Sequence, residues 1–148
     1  MLVKDLMTVS ISCLSPDDRI CAAVGIMRSE NVGAVPVCDV QKHVLGIVTD
    51  RDIIMRAAID SVSAGADGSA SAELPCLVRD VMSSDVISVD SKDDVHDAAL
   101  LMSKHAVRRL PVVENGKLVG MLSIKDMAKK RVFIAEIGHV IYELSNQS

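Results

Sequence analysis

Hydrophobic and polar positions along this chain follow one pattern, written twice. Ile20, Ala23, Val24 and Met27 recur at the spacing of a helix with one apolar face, as do Val95, Ala98, Ala99 and Met102. Each stretch follows a polar cluster that reads as a helix start, Ser15-Pro16-Asp17-Asp18 in one half and Asp90-Ser91-Lys92-Asp93 in the other. Each is followed by a short apolar run containing proline, Ala34–Cys38 and Leu110–Val113, which predicts a strand start or edge. Glu114-Asn115-Gly116-Lys117 predicts a hairpin turn, and Asp39 to His43 is its longer counterpart. Returning strands are expected over Val44–Val48 and Leu118–Leu122, and closing helices over Asp50–Ala58 and Ile124–Arg131. Short helical turns are expected at Asp5-Leu6-Met7 and Asp80-Val81-Met82, each leading into a brief extended piece, Ile11–Leu14 and Val86–Val89.

The two halves align residue by residue. From Met7 to Met82 is 75 positions, and the same shift carries Val3 onto Val78, Asp18 onto Asp93, Ala23 onto Ala98 and Pro36 onto Pro111. The first hairpin holds one extra residue. Beyond it the shift is 74, carrying Gly46 onto Gly120, Thr49 onto Ser123 and Asp52 onto Asp126. Each half therefore reads β-α-β-β-α, and the chain is of the α+β class. The repeats span residues 2–60 and 76–130. At roughly 55–60 residues neither buries enough surface to be stable alone, so the two are expected to pack sheet against sheet. Residues 61–75, rich in Ser, Ala and Gly, predict a flexible loop. Residues 131–148 predict an amphipathic helix and tail, with Ile134, Ile137, Val140, Ile141 and Leu144 on one side. That face can be covered by the chain itself or by a partner subunit, the partner being the favoured reading.

Composition narrows the function. About half of the residues are apolar, enough for a sizeable core, yet Phe133 and Tyr142 are the only aromatics. The core is therefore aliphatic, and no aromatic platform exists on which bases could stack. A formal net charge of -4 disfavours nucleic acid and anionic membrane as partners. No apolar run reaches the roughly 18–20 residues of a membrane span, and Met1–Met7 lacks the apolar run of a signal peptide. These features predict a cytoplasmic protein. Cys13, Cys21, Cys38 and Cys76 show no Cys-x-x-Cys spacing and read as buried or half-buried thiols. With His43, His96, His105 and His139 scattered, no metal site is expected. No nucleophile–base signature, Walker-type loop or pair of role-separated carboxylates is present, so no enzyme is predicted.

The candidate chemistry lies in Gly46–Asp52 and Gly120–Asp126. Each places a hydroxyl, Thr49 or Ser123, where a strand runs into a helix, and an acid three residues on. An ionised carboxylate has acceptors and no donor, so Asp52 and Asp126 suit the two hydroxyls of a ribose. The helix N-terminal amides beside Thr49 and Ser123 favour a phosphate. Arg51, Lys125, Arg108 and Arg109 are candidate counter-charges, and Val32, Ala34, Ile11 and Val86 offer an apolar slot. The same spacing is also that of a helix cap, with the hydroxyl at the N-cap and the acid at the third position. The two readings are compatible, since a cap can fix the acid for binding.

Paired halves with openings Met7-Thr8 and Met82-Ser83, a Pro-Val strand, and a Gly-x-x-Thr/Ser-x-x-Asp ending resemble tandem cystathionine-β-synthase (CBS) domains. The likeness is to a CBS pair, or Bateman module, of the stand-alone bacterial type, and covers about residues 2–130. It implies halves related by a pseudo-twofold axis, clefts between them, and homodimers forming a flat disc. It also implies adenosine-containing ligands, namely AMP, ADP, ATP, NAD or S-adenosylmethionine. No cofactor is required, and the implied role is regulation of an unidentified partner protein. By this resemblance one cleft takes Thr8, Ile11, Cys13, Val32 and Ala34 with Arg109, Met121, Ser123 and Asp126. The other takes Ser83, Val86, Ser88, Val107 and Arg109 with Ala34, Ile47, Thr49 and Asp52. Arg108-Arg109 fall where Gly33-Ala34 stand in the first half, so the sites are expected to be unequal. Arg109 with Asp126 is expected to favour a phosphorylated nucleotide. The Thr49/Asp52 site is expected to favour a less anionic ligand or to stay empty. The alternative is an oligomerisation scaffold with unoccupied clefts.

Overall fold

A computed structural model describes residues 1–63, 77–130 and 133–147. The order of elements is α1 (Val3–Leu6), α2 (Ile20–Glu30), β1 (Ala34–Cys38), β2 (Val44–Thr49), α3 (Asp50–Ser63), a 3-10 turn (Val78–Asp80), β3 (Val89–Asp90), α4 (Val95–His105), β4 (Arg109–Glu114), β5 (Lys117–Ser123), α5 (Ile124–Ala128) and α6 (Ile134–Ser145). The expected β-α-β-β-α order is present in both halves, with its first strand reduced to two residues in β3 and to a single parallel bridge, Leu14 to Val37, in the first half. Helix α3 runs on to Ser63, into the expected loop. The remainder of that loop, Cys76, and the junction Arg131-Val132 lie outside the described residues.

The chain forms two compact units, and these divide it differently from the repeats. One unit is Ser12–Val86; the other joins Met1–Ile11 to Ile87–Ser148. Each repeat's opening segment is thus built into the other unit. Backbone hydrogen bonds do this twice over in the same way. In one unit Val3 N donates to Asp93 O (2.8 Å) and Lys4 N to Ser91 O (2.9 Å). In the other Val78 N donates to Asp18 O (2.8 Å) and Arg79 N to Pro16 O (3.0 Å). Val3 and Val78 are fully buried in the cores they enter.

A second contact pins each segment to a strand edge. Thr8 and Met121 exchange backbone bonds of 2.9 and 3.0 Å, and Ser83 and Ile47 exchange bonds of 2.9 and 3.0 Å. In both hairpins the residue so engaged faces a proline, Pro111 opposite Met121 and Pro36 opposite Ile47. Proline has no N–H to offer a neighbour. Here none is missed, because Met121 and Ile47 spend theirs on the opposite edge. The strand residue before each contact is glycine for a steric reason. A Cβ on Gly120 would lie 2.9 Å from Thr8 O and 2.8 Å from Met7 Sδ; on Gly46 it would lie 2.7 Å from Ser83 O and 2.9 Å from Met82 Sδ.

Turns account for the one-residue slip. Asn115 and Gly116 take positive φ (51° and 79°) in the tight hairpin. In the longer one only Lys42 does (φ 73°). There the Asp39 carboxylate accepts from His43 N and Gln41 N, both at 2.9 Å. These bonds, led by the one from His43 N, hold Asp39 below its ordinary carboxylate range.

Two expectations need correction. The clusters at Ser15–Asp18 and Asp90–Asp93 do not cap the helices. Asp18 accepts from Ser15 N (2.8 Å) and Asp93 from Asp90 N (2.9 Å), closing a turn before each helix. The caps are Arg19, whose side chain makes no cap bond, and Asp94, which accepts from His96 N at 2.8 Å. The C-terminal helix, expected on a partner, instead packs on α4 of its own unit. Val140 is fully buried there, Phe133 joins the same core, and His96 Nδ1 meets Glu136 Oε1 at 3.2 Å. Ile134, Ile141 and Tyr142 remain exposed.

Gly120→Ala and Gly46→Ala should each lower stability by about 1–3 kcal/mol, the usual cost of forcing a group into filled space, or roughly 3–10 °C in melting temperature. Neither glycine has positive φ, so the effect is steric. A loss under about 1 °C for both, by calorimetry, would sink the account of the pinned segments.

Candidate functional site

The candidate acids sit where β2 runs into α3 and where β5 runs into α5. Asp52 N donates to Thr49 Oγ1 and Thr49 N to Asp52 Oδ2, both at 3.0 Å. Asp126 N donates to Ser123 Oγ (3.2 Å), and Ser123 N donates to Asp126 Oδ2 (2.9 Å). Reciprocal caps are therefore formed in both halves. They fix one carboxylate oxygen of each acid and leave the other, Oδ1, to its surroundings.

Those surroundings differ. Asp126 is 7% exposed. Its Oδ1 accepts from Thr8 Oγ1 (3.2 Å) and lies 3.9 Å from Lys129 Nζ, while Ser123 Oγ also donates to Oδ2 (3.0 Å). Asp52 is half-buried, and its Oδ1 has no partner among the described residues. Ser83, the counterpart of Thr8, is exposed and makes no bond to Asp52.

Around Ser123 and Asp126 the unit gathers Thr8, Met121, Arg108 and Arg109. Met121 is buried at its bridge with Thr8, and Arg109 lies opposite Ser123 in the β4–β5 register. Ile124 N donates to Arg108 O (3.0 Å), which brings the arginine pair to this junction. Arg108 is exposed and Arg109 half-buried. Ile11, Ser88 and Val107 belong to the same unit without bonding to the acid.

Around Thr49 and Asp52 the other unit gathers Ala34, which pairs with Thr49, and Ile47, which pairs with Ser83. Val32 and Val86 are half-buried in that unit. Cys13, also in it, has Lys42 Nζ as its partner, at 3.3 Å. One residue escaped the sequence reading. Asp50 N donates to Gly33 O (2.9 Å), and the Asp50 carboxylate lies so close that a Cβ on Gly33 would be 3.2 Å from Oδ2. The only signal was a mismatch between the halves, Asp50 aligning with Ile124. One junction thus carries a carboxylate where the other carries arginines. Among the described residues, no group of three or more His, Cys, Asp or Glu side chains could hold a metal ion, and no helix is long and apolar enough to cross a membrane.

This doubled unit, a capped acid behind a pinned strand edge, is that of a known family. The family model of the CBS domain matches residues 3–58 and again 78–132, and the chain belongs to that family. The CBS domain-containing protein YhcV of Bacillus subtilis is 35% identical over 146 residues, spanning 99% of this chain and 96% of the relative. Among solved structures, a CBS-domain containing protein from Agrobacterium tumefaciens superposes with a TM-score of 0.71 at 31% identity, covering 88% of this chain and 99% of that one. CBSX2 in complex with AMP superposes at 0.73 with 25% identity, covering 90% and 98%.

Asp126→Ala should destabilise the protein more than Asp52→Ala. Both lose the acid half of a reciprocal cap, one bond to a carboxylate, while the Thr49 and Ser123 hydroxyls keep theirs. Only the first also strips the Thr8 hydroxyl of a charged acceptor, about 1.5–3 kcal/mol more. Equal melting temperatures for the two variants would contradict the difference described.

Proposed function

We propose that this chain is a non-catalytic regulatory module that binds adenosine-containing ligands at its two strand-to-helix junctions and modulates a partner protein according to their occupancy. The observation that carries the reading is the capped acid. A carboxylate held by its own helix start, beside amides that favour anions, is a pre-oriented ribose acceptor. The AMP complex of a related CBS structure supports adenosine as the ligand class. The same reading makes the protein a cytoplasmic homodimer.

The two junctions take different ligands. Asp126 works with Arg108 and Arg109, and a phosphorylated nucleotide such as AMP, ADP or ATP suits that charge. A ribose there must take Oδ1 from the Thr8 hydroxyl, its own bond replacing that one. Asp52 has Oδ1 open, but the Asp50 carboxylate repels phosphate. It takes a less anionic adenosine, of which S-adenosylmethionine is the natural probe.

Calorimetric titrations separate the two. Asp126→Ala should weaken AMP by about 10–100-fold and Asp52→Ala should do the same to S-adenosylmethionine, each losing bonds of about 1.5–3 kcal/mol. If either variant weakens both ligands equally, the assignment by charge fails. A scaffold role is the second reading, favoured by the engagement of both Asp126 oxygens within their own unit. In a thermal-shift panel of AMP, ADP, ATP, NAD and S-adenosylmethionine, a binder at 100 times its dissociation constant adds about 2.7 kcal/mol. No shift with any of the five would favour the scaffold.

A further inference from the structure

Cys13 and Cys38 make no bond to Asp52, the capped acid of their own unit, and regulation by a nucleotide makes no use of thiol chemistry. Leu14 N donates to Pro36 O (2.9 Å) and Cys38 N to Leu14 O (2.8 Å), a parallel bridge of Leu14 to Val37 that has Cys13 one residue before it and Cys38 one residue after it. Cys38 is buried at 3% exposure and Cys13 is half-buried. Lys42, turned back by its left-handed backbone (φ 73°), brings Nζ to 3.3 Å from Cys13 Sγ. The two sulfurs therefore sit in unlike surroundings. Burial, with the neighbouring Cys13 sulfur adding to it, pushes the Cys38 thiol up to about 12, so Cys38 keeps its proton at neutral pH. Cys13 is the more accessible of the pair and has an ammonium beside the atom that must carry negative charge when it attacks. Cys21 is exposed on α2, yet no cation stands at its sulfur among the described residues.

We propose that Cys13 and Cys38 form an oxidisable dithiol, a modification site for peroxide, with Cys13 as the attacking sulfur, Lys42 as its positioning cation and Cys38 as the resolving sulfur. In the first step the Cys13 sulfur attacks one peroxide oxygen. An S–O bond forms, the O–O bond breaks, and the leaving hydroxide takes a proton to become water. In the second step the Cys38 sulfur displaces hydroxide from the Cys13 sulfenic acid. The S–S bond forms and the Cys38 proton leaves with the hydroxide as a second water. Two thiols are oxidised by two electrons, and one peroxide is reduced. The bridge ties the segment before Leu14 to the end of β1, and a thiol reductant reverses it. Transient bonds of this kind are the form disulfides take in a reducing compartment.

The test uses the full chain, reduced and then exposed to hydrogen peroxide at neutral pH, alkylated, and digested without reductant for mass spectrometry. The expected product is a Cys13–Cys38 linked peptide pair, two hydrogens lighter, that disappears with dithiothreitol. Lys42→Ala should slow its appearance by about 10-fold. In Cys38→Ala, Cys13 should accumulate as a sulfenic acid that dimedone traps. Oxidation of Cys21 while Cys13 and Cys38 stay alkylatable would overturn the proposal. So would an unchanged rate in Lys42→Ala, or no dimedone adduct in a Cys38→Ala protein that melts as the parent does.

Discussion

Two pairs of backbone hydrogen bonds, Thr8 with Met121 and Ser83 with Ile47, decide which stretch of chain is built with which. Much else follows from them. They require a strand residue with no side chain just before the contact, which Gly120 and Gly46 supply. They leave Pro111 and Pro36 opposite positions that ask nothing of a missing N–H. They also place an incoming segment two residues from the hydroxyl that caps the next helix. In one unit that proximity brings the Thr8 side chain onto Asp126. The contact that fixes the chain path therefore also decides how much of the acid is engaged within its own unit.

Much of this was legible in the sequence, because the repeat made weak local signals agree. Helical spacing, the Asn-Gly turn and the capped acids all appear where the pattern places them. The exchange of opening segments was not legible. It is made of main-chain groups that any residue carries, and its one mark is a pair of glycines that also read as ordinary motif punctuation. The helix starts misled for a related reason. Asp18 and Asp93 have the chemistry of a cap but close a turn one step early, since serine and aspartate serve both structures alike. The C-terminal helix shows periodicity but not its partner, because an apolar face fits any apolar surface; here α4 supplies it.

The duplication repeats backbone geometry far more closely than side-chain chemistry. Both junctions have the same cap, the same bridge and the same glycine, yet Asp50 stands by Gly33 in one and Ile124 by Arg108 in the other. Charge at such a rim differs between the halves without touching the fold, because neither side chain takes part in the pinning contacts. The cysteine pair is a similar local addition, present in the first half and without a counterpart in the second, where Ser88 and Val113 occupy the aligned positions.

The crossed segments also bear on ancestry. The backbone bonds by which Val3, Lys4 and Thr8 bind Met1–Ile11 into its unit have twins at Val78, Arg79 and Ser83 in the other. Two separate copies of a single half could make the same set of bonds by trading their first residues, each copy completing the other. Gene fusion would then have needed only a tether between them, since the contacts were already reciprocal. On this view the tandem arrangement preserves a domain-swapped pair within one polypeptide, and the later divergence of its halves was free to act on the rims alone.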